Sequence, residues 1–258
     1  MDYETIRLST RDNVAVLTLH RPDVMNALST QMRAEILHAV HVAEDSARVL
    51  VMTGKGRAFC SGQDLGDRAN VNNLNLERTL RDEYEPMLKA IFDCAIPTIA
   101  AVNGPAAGAG ANLALACDVV IATESAVFLQ AFTRIGLIPD AGGTYWLPRQ
   151  IGMAKAMGAA LFAEPVSARQ ASDWGMIWEA VPDGEFETVW NERAVHLANG
   201  PSLAYRNVKR AIRGSFDNSL DEQLALEAKL QGEAGHSRDF KEGVMAFLEK
   251  RPAKFEGR

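Results

Sequence analysis

Twice in this chain of 258 residues an apolar run passes through glycine and other small residues into the start of a helical pattern. The first run, Arg48 to Thr53, closes on Gly54-Lys55-Gly56 and leads into Gly56-Arg57-Ala58-Phe59-Cys60-Ser61-Gly62-Gln63-Asp64-Leu65. The second, Thr98 to Val102, leads into Asn103-Gly104-Pro105-Ala106-Ala107-Gly108-Ala109-Gly110-Ala111-Asn112-Leu113. Strands that feed directly into helices constrain the fold strongly, because they favour parallel sheets with helices packed on their faces. Small residues at such turns let a ligand approach the main chain, and a helix start offers N–H groups without intrahelical partners. Two converging N–H donors suit an oxyanion. The run Gly108-Ala109-Gly110-Ala111 equally suits close helix packing, and both readings stand at this stage.

The remaining elements fit the same class. Thr5 to Ser9 and Val14 to Leu19 flank Thr10-Arg11-Asp12-Asn13 and read as a hairpin. Ser29 is placed to cap a helix running to about Ala43, and 107–116 reads as a short small-residue helix. Residues 67–80, rich in asparagine, read as a mobile loop before a helix ending near Cys94. Val119 to Ala122 and Ala126 to Leu129 read as strands. From Gly152 onward the pattern is almost wholly helical, with helices expected from Ser167 to Trp174 and over 185–199, 201–213, 220–232 and 238–250. A strand-rich α/β core over about 1–190 followed by a helical region over about 191–258, in one continuous domain, is the expectation.

Composition removes several function classes. A net charge of -6 gives no electrostatic footprint for nucleic acid or an anionic membrane. Cys60, Cys94 and Cys117 are too few and too scattered for a disulfide framework, and read as small core residues of a cytoplasmic protein. The five histidines show no spacing for a metal, so no metal and no separate cofactor are expected. The acidic start Met1-Asp2-Tyr3-Glu4 is unlike a signal peptide, and the apolar runs are short for a membrane span.

One segment carries a candidate reacting group. Gly136-Leu137-Ile138-Pro139-Asp140-Ala141-Gly142-Gly143-Thr144 sets a carboxylate between an apolar approach and two glycines. A poorly hydrated carboxylate has a raised pKa and suits proton transfer. Asp-Ala-Gly-Gly is also good turn chemistry, so a turn or helix-cap role competes.

In fixed order along essentially the whole chain, these segments resemble the crotonase (enoyl-CoA hydratase/isomerase) superfamily. Also matching are Arg21-Pro22, Asn26-Ala27-Leu28, Ala116-Cys117-Asp118-Val119-Val120 and Phe247-Leu248-Glu249-Lys250-Arg251. The resemblance implies a crotonase-like ββα spiral core with a C-terminal helical region, an acyl-CoA substrate, and a homotrimer or dimer of trimers. It implies that the N–H groups of Gln63 and Ala109 form an oxyanion hole. The family usually carries glycine at the second position; alanine keeps the N–H and narrows the approach. It further implies that Ala27, Ala58, Ser61, Gln63, Asp64 and Leu65 line the CoA groove, that Gly108, Asn112 and Phe132 also belong to the substrate- and CoA-binding set, that Arg21 or Lys55 reaches the phosphates, and that Phe247 and Phe255 complete a neighbour's site.

Hydratases of the family carry two glutamates that position and split water. Their positions are held here by Asn112 and Phe132. Asp140 instead matches the acid/base aspartate of family isomerases, with Phe132, Ile138, Tyr145 and Trp146 as apolar partners. Within that branch the resemblance is strongest to the ring-1,2-epoxyphenylacetyl-CoA isomerases of phenylacetate degradation, which also shift double bonds. Fatty Δ3,Δ2-enoyl-CoA isomerases, hydratases, CoA-thioester dehalogenases and a non-enzymatic RNA-binding or scaffold role are the alternatives.

Overall fold

The structure is a computed structural model that describes residues 2–66 and 75–257. Strands β1 (Ile6–Arg11) and β2 (Val14–Leu19) make the expected antiparallel hairpin. Asp12 and Asn13 turn it at φ 50° and 64°, left-handed conformations that these two residue types adopt more readily than most. Helix α1 (Thr30–Ser46) starts where the Ser29 hydroxyl accepts the Met32 N–H, and continues past Ala43. Strand β3 (Val49–Gly54) follows.

The expected loop over 67–80 is revised in part. Residues 67–74 lie outside the described residues, and α2 (Leu76–Thr79) begins immediately after Asn75, whose side chain accepts the Arg78 N–H. It continues through a π-helical turn, Leu80–Tyr84, into α3 (Glu85–Asp93). Next come β4 (Thr98–Val102), β5 (Ala106–Ala107) and α4 (Ala109–Leu115). The helix expected from residue 107 begins two residues later, because Gly108 turns the chain at φ 52°, ψ -127°.

Strands β6 (Val119–Thr123) and β7 (Val127–Leu129) lead to a 3-10 turn, Ala131–Ile135, and then α5 (Gly143–Phe162), kinked at Gly152. The C-terminal half is not purely helical. Short strands β8 (Val166–Ser167) and β9 (Glu179–Val181) bracket α6 (Ala168–Asp173), before α7 (Phe186–Ala198), α8 (Ser202–Gly214), α9 (Leu220–Gly235) and α10 (Arg238–Glu249).

One sheet has the order β1-β2-β3-β4-β6-β9, parallel throughout except for the hairpin; β5-β7-β8 form a second. Both faces of the large sheet are buried, as parallel sheets require. Leu50 and Met52 of β3 face the core shared with α1, α3 and α4, while Val49 and Val51 face the opposite way. There they meet Phe186, Ala194 and Ala198 of α7. A boundary near residue 191 would cut α7, so the sheet's partner helices extend to Ala198 and the outlying helical region is α8 to α10. Cys60, Cys94 and Cys117 are all buried free thiols, and burial pushes them up to about 12, 11 and 12 respectively.

Candidate active site

The two small-residue turns meet. Cys60 pairs with Ala106 in a parallel bridge, and the Ala107 N–H donates to the Cys60 carbonyl at 2.9 Å. Glycine is required at this contact. A Cβ on Gly110 would fall 2.3 Å from the Cys60 carbonyl oxygen, and one on Gly62 would fall 2.8 Å from that of Ala107 and 3.5 Å from the Ala109 nitrogen. The glycine run therefore packs tightly, as the close-packing reading expects, and the same turn carries the Ala109 N–H.

The direction of those N–H groups follows from the pairing. Leu28 donates to the Gly62 carbonyl (2.8 Å) and accepts from the Asp64 N–H (3.2 Å). In a parallel bridge the residue between those two partners turns its own N–H away, and that residue is Gln63. Ala109 is the first residue of α4, where an N–H has no intrahelical acceptor. Two donors on adjacent turns, one at a helix start, are suited to an oxygen that gains negative charge.

Behind the first turn lies a polar cluster that the sequence reading passed over. Arg33, only 1% exposed, pairs with Glu83, donates to the Leu28 carbonyl and the Gln63 side chain, and stacks 4.6 Å from the Tyr84 ring centre. The Tyr84 hydroxyl also donates to Gln63 Oε1. Asn26 is the other hidden support. It sits at φ 55°, fully buried, and its amide faces the carbonyls of Lys55, Ala58 and Phe59 at 2.9–3.1 Å while its oxygen accepts the Arg21 N–H. Asn26→Ala would leave several buried main-chain groups unpaired, and we expect it to lower unfolding stability by roughly 3 kcal/mol, read from urea melts.

Asp140 lies close enough to Tyr84, the partner of Gln63, for its charge to act on the phenol. Its carbonyl accepts from the Gly143 N–H (2.8 Å) and from the Asn112 side chain (2.7 Å), while Gln130 donates to Asn112 Oδ1 (2.9 Å). Ala141 and Gly142, at φ 49° and 82°, fold the chain back after it. Asp140 is thus a turn residue, as the Asp-Ala-Gly-Gly sequence leads one to expect. Its carboxylate Oδ1 is buried without a hydrogen-bond partner, and desolvation raises the group to about 6.

Asp140, Ala141 and Gly142 line a cavity of about 340 Å³. Leu80, Tyr84, Leu88 and Phe92, a stripe at four-residue spacing on the π-turn and α3, line it too, as does Trp146. The other carboxylate at this cavity, Glu85, is half-exposed and tied to Lys89 at 2.5 Å, a contact that holds it below its ordinary range. Among the described residues lining the cavity, Asp140 is the only carboxylate with a raised pKa.

Several expected contacts have other occupations. Asn112 is fully buried and committed to Asp140 and Gln130, so it positions the turn rather than facing a ligand. Asp64 is paired with Arg21 at 2.7 Å and accepts the Gly66 N–H; Arg21 also donates to the Ala27 carbonyl. Arg21 is therefore spent within the fold, whereas Lys55 is exposed. Ile138 is 75% exposed and does not line the cavity. Phe132 is buried beside Gly108, 3.7 Å from where a Cβ there would fall. Ala27 and Ala58 are buried, Ser61 is half-buried, and Leu65 is exposed. Phe255 packs on Gly243 of its own chain, while Phe247 is exposed.

Residues 9–258 match the family described as enoyl-CoA hydratase/isomerase. The chain belongs to the enoyl-CoA hydratase/isomerase family. A Rhodobacter capsulatus relative of this hydratase/isomerase, named "probable enoyl-CoA hydratase", is 63% identical over 258 residues, all of both chains. The 1,2-epoxyphenylacetyl-CoA isomerase of Escherichia coli is 45% identical over 251 residues, 95% of each chain. The solved enoyl-CoA hydratase of Bacillus anthracis superposes with a TM-score of 0.92 at 32% identity, over 99% of this chain and 100% of that one. The spiral core expected from the sequence is the fold of this family. No helix among the described residues is long and apolar enough to cross a membrane.

Proposed function

We propose that this family member is an acyl-CoA isomerase with Asp140 as its single acid/base group, acting on a ring-bearing epoxide thioester, 2-(1,2-epoxy-1,2-dihydrophenyl)acetyl-CoA, and shifting double bonds in related enoyl thioesters. The observation that carries this reading is the contrast between the cavity's two carboxylates: Asp140 is desolvated and raised, while Glu85 is tied to Lys89 and held below its ordinary range. The positions at which the family's hydratases carry glutamates are Asn112 and Phe132 in this chain. The 45% identical isomerase and the apolar, aromatic lining of the cavity support the acyl class.

In a double-bond shift the thioester carbonyl oxygen accepts the Gln63 and Ala109 N–H groups. The Asp140 carboxylate removes a proton from the carbon next to the carbonyl, and the resulting dienolate charge rests on that oxygen. The same carboxyl returns the proton two carbons further along, so the double bond moves into conjugation and no atom is gained or lost. Coenzyme A arrives with the substrate, so no separate cofactor is invoked. Ala27, Ala58, Ser61 and Leu65 flank its path, with Lys55 free to meet a phosphate. The exposed apolar side chains of α9 and α10, among them Leu220, Leu224, Phe247 and Leu248, support association of copies as a trimer or dimer of trimers.

The test is turnover of the epoxide thioester and of 3-enoyl-CoAs against crotonyl-CoA. Isomerisation of the first two by wild type, with little hydration of the third, is expected. Efficient hydration of crotonyl-CoA as the only activity would assign the chain to the hydratases instead.

A further inference from the structure

The Asp140 cavity shares two of its lining side chains, Phe92 and Trp146, with a second cavity of about 380 Å³. The two rings lie 5.1 Å apart at 38°, and Tyr145 meets Trp146 edge-on at 4.8 Å. The second cavity is also lined by Leu115, Val208, Ile212 and Phe216, with Arg213 stacked 3.8 Å over Phe92. Trp146 is held there without a polar anchor. Its Nε1 is buried with no hydrogen-bond partner and lies against Gly142, where a Cβ would fall 2.4 Å away. Only glycine at 142 leaves room for the indole in this position.

We propose that Trp146 is the residue that limits acyl length, dividing one potential chain tunnel into a short reactive chamber and an unused distal chamber. The distal chamber would take the terminal methylenes of a medium-chain acyl group once the indole is removed. This rests on the reading that the acyl group lies in the Asp140 cavity. Leu115, Val208, Ile212 and Phe216 offer methylenes an apolar surface in the second cavity, while Asp118, Arg149 and Lys209 also border that space.

The experiment compares 3-dodecenoyl-CoA with 3-hexenoyl-CoA in wild type, Trp146→Ala and Trp146→Leu. Each methylene moved from water into an apolar chamber favours binding by roughly fourfold. The long-to-short ratio of kcat/KM should therefore rise at least about tenfold in Trp146→Ala. Refilling the distal chamber with Val208→Trp in that background should return the ratio to the wild-type value. If wild type isomerises neither the epoxide thioester nor a 3-enoyl thioester, the isomerase reading itself falls. If it isomerises the epoxide alone, the ratio of decanoyl-CoA to butyryl-CoA dissociation constants replaces the turnover ratio. If either ratio in Trp146→Ala stays within about threefold of wild type, the length-limiting role falls alone. A gain that survives Val208→Trp also overturns it. Should the alanine variant not fold, the ratio of decanoyl-CoA to butyryl-CoA dissociation constants in Trp146→Leu decides, with an unchanged ratio counting against the proposal.

Discussion

Asp140→Asn is expected to lose isomerase turnover by about a thousandfold or more, with KM little changed, because a neutral amide cannot take a proton from carbon. The wild-type kcat/KM should rise with pH through about 6, the range to which desolvation lifts the carboxyl. Stability should move the other way. The folded pKa of about 6 lies above the ordinary 3.8, so the folded chain binds this proton more tightly than the unfolded chain does. That contribution is present at low pH and is lost as pH rises through about 6. Asparagine has no such charge to desolvate. Asp140→Asn should be more stable than wild type above about pH 7 by roughly 1–2 kcal/mol after discounting for partial exposure, and should match it below about pH 4. Urea melts at the two pH values read this directly. A variant that is less active and more stable is the mark of a strained functional group rather than of a structural turn.

Ala109→Pro should cost turnover roughly a hundredfold to a thousandfold. Proline removes the N–H from the second donor position, and its ring also occupies the approach of the thioester oxygen. The helix itself should tolerate the change, since proline suits the first residue of a helix, where the N–H has no intrahelical partner. Ala109 is that residue, so Tm and far-ultraviolet circular dichroism should stay close to wild type while kcat falls. Near-wild-type turnover in this variant would remove Ala109 from the oxyanion site.

Much of this site is legible in the residues themselves. Periodicity and glycine placement locate the hairpin, α1 and the two turns, because local sterics and burial decide those elements. The direction of the Gln63 N–H is not legible: it depends on Leu28 bridging Gly62 and Asp64, a pairing between segments far apart in sequence. For the same reason Arg33 and Tyr84 pass unnoticed. Both occupy ordinary helical positions, and their meeting at Gln63 is a product of packing. The four-residue stripe Leu80, Tyr84, Leu88, Phe92 was the one available signal for the cavity wall, and a stripe of that kind ordinarily marks core. Asn112 is legible only in part. Its place near a helix start fits a structural role as well as a ligand contact, and its amide donates to the main-chain carbonyl of Asp140, 28 residues away.

The central claim, a single proton carrier and no activated water, is tested most directly by mass. Wild-type enzyme incubated with 3-hexenoyl-CoA in water enriched in oxygen-18 should yield 2-hexenoyl-CoA that carries no heavy oxygen, and Asp140→Asn should yield almost none. A hydroxyacyl product bearing oxygen-18, or undiminished isomerisation by Asp140→Asn, would contradict it.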